Sequence, residues 1–180
     1  VKHRKDIITK RTKYDLRKAK DRGHVVEGLM VAIANIDQII SIIKKSKDPK
    51  IAAKELCKKV WKSGPVEAIL KKVGSDACKP KGLSKDLGLK GKKYKLSEDQ
   101  AKAILELRLG RLTGLEQDNL SKEFSEIVEK ILGLQKILDD KQTLIDLMIG
   151  ELEEIKENFG DERRTLINDT RRGITNEDLI

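Results

Sequence analysis

Aromatic side chains are nearly missing from this sequence. Its 180 residues include one Trp, two Tyr and two Phe, 3% in all. Aromatic residues bury the most area per side chain, so a large globular core is not expected. Cysteine is scarce as well. Cys57 and Cys78 are the only thiols, and His3 and His24 the only imidazoles. No two of these four stand at metal-ligand spacing, so neither a disulfide framework nor a zinc site is expected. Idle or buried thiols fit a reducing, cytoplasmic setting. No apolar run is long enough to span a bilayer, and there is no signal peptide. The chain opens on Val1 and not on Met, and reads as an excised piece of a longer protein.

The usual catalytic patterns are lacking too. There is no Gly-x-Ser-x-Gly, and no glycine loop followed by Lys-Ser/Thr to cradle a phosphate. Asp139-Asp140 and Glu153-Glu154 are adjacent in sequence. On a helix adjacent side chains diverge, so each pair reads as a solvated face and not as an acid/base pair. Tyr14 and Tyr94 have no evident activating neighbour. No catalytic, cofactor or metal residue is assigned.

Charge is what the chain has in quantity. Lys, Arg, Asp and Glu make up 38% of it, and 39 basic against 30 acidic residues leave a net charge of +9. Such a balance permits nucleic acid or an anionic surface as a partner without requiring either. The composition suits long helices with narrow apolar seams.

Residues 7–45 read as one long helix, uninterrupted by Pro, with Leu29, Ile33, Ile36, Ile40 and Ile43 recurring in fours and threes. Upstream the seam moves to Leu16, Ala19, Gly23, Val26 and Met30. Gly23, unfavourable in a helix interior, reads as a point of close approach. Asp48-Pro49 supplies an N-cap and a first-turn Pro for a short helix that Trp61 ends. Gly64-Pro65 opens another, which Gly74 closes. Residues 75–95, with seven lysines, read as a basic loop holding at most a short extended piece at Tyr94. Solvated surface and DNA contact are both open readings of it. A second long helix runs to about Phe159 on the heptad Leu120, Phe124, Ile127, Ile131, Leu134, Leu138, Ile145, Met148, Leu152, Ile155, Phe159, with a local kink expected at Asp139-Asp140-Lys141.

The two long helices pair antiparallel. Residues 1–24 hold ten Lys/Arg and three Asp, and residues 139–160 hold seven Asp/Glu and two Lys. An antiparallel hairpin lays these opposite charges side by side. The expected architecture is all-α. Residues 1–45 form the first coiled-coil helix, 46–113 a small head with a dimerisation segment, 114–160 the second coiled-coil helix, and 161–180 a return segment.

The dimerisation segment is residues 96–115. Ser97 and Gln100 have capping-box spacing, as do Thr113 and Glu116. The spacing predicts a helix that stops near Leu112. With Ala101 at zero on a helical wheel, Leu105, Leu109 and Leu112 form one stripe and Leu107 falls away from it, so the apolar arc spans roughly 200°. Arg108 and Arg111 lie inside that arc. A helix with two apolar sides needs a second partner, and Ile104, Leu107, Arg108 and Leu112 are the candidate interface residues. From the residues alone, this is a structural module that associates with itself. A free-standing coiled-coil adaptor or a basic nucleic-acid-binding hairpin is the rival reading.

Three separated stretches carry a resemblance. Tyr14-Asp-Leu-Arg-Lys-Ala-Lys-Asp-Arg-Gly-His-Val-Val-Glu-Gly-Leu29 with Ala34-Asn-Ile-Asp37 resembles the long helix leaving the tower of bacterial type IIA topoisomerases. Leu96-Ser-Glu-Asp-Gln-Ala-Lys-Ala-Ile-Leu-Glu-Leu-Arg-Leu109, then Leu112-Thr-Gly-Leu-Glu116, resembles their exit-gate segment. Phe159-Gly-Asp-Glu-Arg-Arg-Thr165 is similar to the return into the tower. The head from Val60-Trp61 to Tyr94, Thr113-Gly-Leu-Glu116 and Asn176-Glu-Asp-Leu-Ile180 look more like the gyrase A-subunit branch than topoisomerase IV.

The resemblance implies an ATP-dependent isomerase that introduces negative supercoils by passing one DNA duplex through another. It implies a homodimer of A subunits combined with B subunits as A2B2, acting on double-stranded DNA. ATP and Mg would be bound by the B subunit, with no cofactor in this chain. The family's catalytic tyrosine sits in an Arg-Tyr-Thr context that Tyr14 and Tyr94 lack, so these residues alone are expected to be inactive. They would form the arms and the exit gate. Arg4, Lys5, Arg11 and Lys13 would lie at the DNA-proximal end.

Overall fold

A computed structural model describes residues 1–84, 86–107 and 114–165. Its elements in chain order are α1 (Lys2–Ala34), α2 (Ile36–Lys45), α3 (Pro49–Lys58), β1 (Val60–Lys62), α4 (Val66–Val73), β2 (Gly88–Lys90), β3 (Lys93–Lys95), α5 (Glu98–Leu105), α6 (Gly114–Asp139) and α7 (Lys141–Phe159). The chain is mainly helical: a long two-helix arm carries a small head.

The arm is antiparallel, as its ion pairs show. Arg22 of α1 meets Glu123 of α6, while Arg4, nearer the start of α1, meets Glu151 of α7. Along α6, Leu120, Phe124, Val128 and Ile131 are buried against α1. Gly23 is a close-approach point. A Cβ there would lie 3.1 Å from both Cys78 Sγ and Ile127 Cγ2. The seam is covered as far as Met148. Beyond it Leu152, Ile155 and Phe159 are exposed, because Arg4 already stands opposite Glu151 and little of α1 lies further on.

Two expected single helices are each broken. The first bends by 92° at Asn35, between α1 and α2. The cause is local competition for an acceptor. Asn35 Nδ2 donates to the Val31 carbonyl, the one its own backbone N–H would use in a continuing helix, and the backbone N–H turns to Ala32 O instead. The same Nδ2 also donates to Lys62 O, tying the bend to β1. The second break is at Asp140, where the sequence leads one to expect a kink; Asp140 is extended and accepts from the Gln142 and Thr143 backbone N–H groups as the N-cap of α7.

The head contains more strand than the sequence pattern implies. β1, β3 and β2 form an antiparallel sheet in that order, with Trp61 opposite Tyr94 and Leu89 opposite Tyr94. Tyr94 is flanked by Lys93 and Lys95, and Trp61 by the outward-facing Val60 and Lys62, so each strand turns a single aromatic inward and the run around Tyr94 reads as a basic loop. Trp61 belongs to β1 and not to the preceding helix. Its Nε1 donates to Leu56 O, which satisfies its buried polar edge. Asp48 and Pro49 start α3 as expected, with the Asp48 carboxylate accepting from Lys50 N. Pro65 caps α4, and Gly74 closes it at φ 107°.

Asn35 is 8% exposed and holds three elements together. Asn35→Ala should destabilise the chain by about 1–3 kcal/mol, since it leaves buried carbonyls without donors. Urea unfolding followed by circular dichroism measures the loss.

Candidate functional site at the junction of arm and head

The helix α5 begins on a complete capping box. Ser97 Oγ accepts from Gln100 N at 3.3 Å, and Ser97 N donates to Gln100 Oε1 at 3.0 Å. A backbone N–H can only donate, so this contact fixes the amide orientation of Gln100. Its Nε2 then faces α1. There it donates to His24 O at 2.7 Å and to the Tyr94 hydroxyl at 2.7 Å, and lies 3.2 Å from His24 Nδ1. Because Nε2 is a donor, Nδ1 must be unprotonated, and the proton sits on His24 Nε2, which reaches Ser97 Oγ at 2.8 Å. Burial holds the His24 pKa below its ordinary value, in keeping with this neutral tautomer.

Glu27 completes the cluster one helical turn along. It is 4% exposed and faces the Tyr94 hydroxyl. Burial lifts its carboxyl to about 7, against the lowering effects of the Tyr94 hydroxyl and Lys79. Burial likewise pushes the Cys78 thiol up to about 12, so it is not a nucleophile at neutral pH. Gly28 gives Gln100 its room. A Cβ at position 28 would lie 2.6 Å from Gln100 Cγ and 2.8 Å from Gln100 Cβ. The arm helix, the sheet and α5 thus meet in one buried polar cluster formed by His24, Glu27, Tyr94, Ser97 and Gln100.

The sequence marks only the capping-box half of this site. His24 and Glu27 sit three apart on a face whose neighbours are apolar, and Gly28 stands beside them. That combination is the signal the sequence offers. A search for apolar periodicity passes over it.

The interface candidates are placed unevenly. Ile104 is 4% exposed and belongs to the core of its own chain. The helix does not run to Leu112 as the spacing predicts. α5 ends at Leu105, Glu106 caps it, and Leu107 N closes a turn onto Ile104 O. Leu107 therefore lies past the helix, and the wheel does not locate it; it is half-buried against the core. Arg108, Arg111 and Leu112 lie outside the described residues, as does Thr113.

The residues expected near DNA divide into two groups. Arg4 Nη2 donates to Glu151 Oε2 at 2.7 Å, and Arg11 pairs with Glu151 as well. These two share one carboxylate across the arm, which offsets one of their two charges, and the Glu151 carboxyl is held below its usual range chiefly by the Arg11 guanidinium. Lys5 is half-buried and Lys13 exposed, and among the described residues neither is in an ion pair. No three His, Cys, Asp or Glu among the described residues converge where a metal could sit. No single described helix is long and apolar enough to cross a membrane.

Comparison with known proteins adds the following. The family described as the A subunit of DNA gyrase/topoisomerase IV matches residues 1–153. The DNA gyrase A subunit of Pseudomonas aeruginosa is 47% identical over 180 residues, which is 100% of this chain and 20% of that protein. Its counterpart from Salmonella typhimurium is 43% identical over 100% of the chain and 20% of that protein. That from Staphylococcus aureus is 39% identical over 100% of the chain and 16% of that protein. The chain spans about a fifth or less of the length of these relatives.

Two outcomes test the cluster. Folded, Glu27 keeps its proton to about pH 7; unfolded, it loses it near 4.5. Within that window the folded state binds more protons, so this contribution to stability falls as pH rises. Above it, the cost is on the order of 3 kcal/mol. Glu27→Gln should remove this slope and be more stable than the parent at pH 8, read from urea midpoints at pH 5 and 8. His24 contributes an opposing slope in both proteins, so their difference isolates Glu27. Gly28→Ala in an open helix would stabilise by up to about 1 kcal/mol. Here overpacking against Gln100 outweighs that, and a net loss of about 1–3 kcal/mol is expected from thermal unfolding.

Proposed function

The chain belongs to the DNA gyrase/topoisomerase IV A-subunit family, and we propose that it is the arm and exit gate of a DNA gyrase A subunit. In this reading two A subunits associate through their heads and combine with B subunits as A2B2. The complete enzyme introduces negative supercoils into double-stranded DNA by passing one duplex through another. The B subunit binds ATP and Mg, and the DNA-cleaving tyrosine lies elsewhere in the A subunit. The residues here neither cleave DNA nor bind nucleotide. Similarity to gyrase A subunits over the whole chain favours gyrase over topoisomerase IV.

The observation that carries the reading is the Gln100 cluster. It joins the first turn of α5, the helix leading into the self-associating segment, to the head-proximal part of α1 at His24 through fixed hydrogen bonds. A movement of the arm is therefore delivered to that segment and not absorbed by a soft contact. The self-associating surface is centred on Leu107, Arg108 and Leu112. Ile104 supports it from the core side.

Leu107→Glu should give a folded monomer. Light scattering reads the mass and circular dichroism the helix content, with Leu112→Glu as a second substitution further from the core. A dimer that persists with both substitutions would reject this placement.

A further inference from the structure

The basic half of α1 has two faces with different fates. Arg4, Arg11 and Arg22 point across the seam and are paired with Glu151 and Glu123. Lys10, Lys13, Arg17 and Lys20 recur at threes and fours on another face. Among the described residues none of these four is in an ion pair with a carboxylate. They line one wall of a trough of about 490 Å³. Lys81, from the loop after α4, lines the other wall, and among the described residues Asp21 is the trough's one acidic residue. Leu16 and Leu138 contribute its apolar lining.

The loop is brought there by packing. Cys78 is 1% exposed and lies against Gly23, whose missing side chain permits the contact. Lys79 pairs with Asp76 at 2.7 Å and is thereby occupied, while Lys81, two residues on, is not. Tyr14 stands in the same wall, 47% exposed, its ring 5.5 Å from the Arg17 guanidinium carbon. An exposed tyrosine among unpaired cations offers a hydroxyl donor for a phosphate or sugar oxygen.

We propose that this trough is a binding site for the phosphate backbone of duplex DNA, formed jointly by the arm helix and the head loop. From Lys10 to Lys20 the stripe is about 15 Å long at 1.5 Å per residue. One strand of a duplex presents a phosphate about every 3.4 Å along its axis, so the stripe faces about four of them. Five cations on two walls match that row. The trough opens to solvent and has a helix for one wall, which suits a rod-like polyanion better than a small anion that needs enclosure. Long cations without a groove-reading element contact backbone and not bases, so the site is indifferent to sequence.

This inference rests on the reading of the chain as part of a DNA-handling A subunit, and the two can fail separately. The test uses the complete A subunit with Lys13→Gln, Arg17→Gln, Lys20→Gln and Lys81→Gln combined. A control protein carries Lys44→Gln, Lys45→Gln, Lys47→Gln and Lys50→Gln, which removes the same charge from the exposed end of α2, the start of α3 and the turn between them. Binding to a linear duplex is measured across a salt series. Each lost phosphate contact lowers the slope of log K against log salt by about 0.9, so the trough variant should lose about 2–4 units of slope and the control less than about 1. Equal slopes in the trough variant and the parent, or equal losses in variant and control, would overturn the site. Loss of single-strand binding with duplex binding intact would overturn the choice of duplex. Circular dichroism and dimer mass should match the parent. If the trough variant misfolds, single Lys13→Gln and Lys81→Gln proteins should each lose about 0.9 units, and no change in either overturns the site. Failure of the parent protein, combined with its B partner, to supercoil DNA would count against the proposed function and not against the trough.

Discussion

A single amide, the side chain of Gln100, is the contact on which the head's attachment to the arm depends. It is wholly buried, and both of its polar atoms are engaged. An unpaired buried amide costs more than an average hydrogen bond contributes, so the network has little tolerance for partial formation. The sheet enters it through Tyr94, the arm through His24 and Glu27, and the helix α5 through its own first turn. This explains how a head with so few aromatics stays ordered. Trp61 and Tyr94 sit opposite each other, and polar contacts supply the specificity that apolar bulk would otherwise give.

Some of this is legible in the sequence because it is local. Ser97 and Gln100 lie three residues apart and cap within one turn. Asp48-Pro49 needs no distant partner to start a helix. The heptad from Leu120 to Leu138 follows from period alone, and the antiparallel arm from opposite charges at its far end. Gly23 is marked by its cost in a helix. The remaining features depend on partners distant in sequence. Asn35 breaks α1 by taking the Val31 carbonyl, and Lys62, from another element, rewards the bend. The strands around Tyr94 are three residues each and are flanked by lysine, so alternation has too few positions to register. Glu27 is polar at a buried position, and only the arrival of Tyr94 makes it tolerable. The end of α5 at Leu105 cannot be read from an apolar run that continues through Leu107.

The basic residues of α1 illustrate how composition underdetermines electrostatics. Ten basic against three acidic residues over 1–24 look uniform in sequence. In the folded chain Glu151 alone engages two of the arginines, while the lysines on the neighbouring face keep their charge. The paired arginines reach across the seam while staying partly exposed, where their planar fork suits a carboxylate, and the neighbouring face is mainly lysine, a solvated point charge. A count of charge by segment therefore overstates what is free on one face and understates how concentrated it is on the other.

The bend at Asn35 gives α1 a fixed length of 33 residues, roughly 50 Å of unbroken rod. One end lies against Glu151 and the other is pinned in the head beside Lys62. Such a rod is a lever whose short arm ends at the Gln100 contact. A tilt of about 5° pivoting in the head would carry the remote tip about 4 Å, roughly the rise of three helical residues. Small rotations at one end and ångström-scale displacements at the other are thus mechanically equivalent, with no change of secondary structure between them.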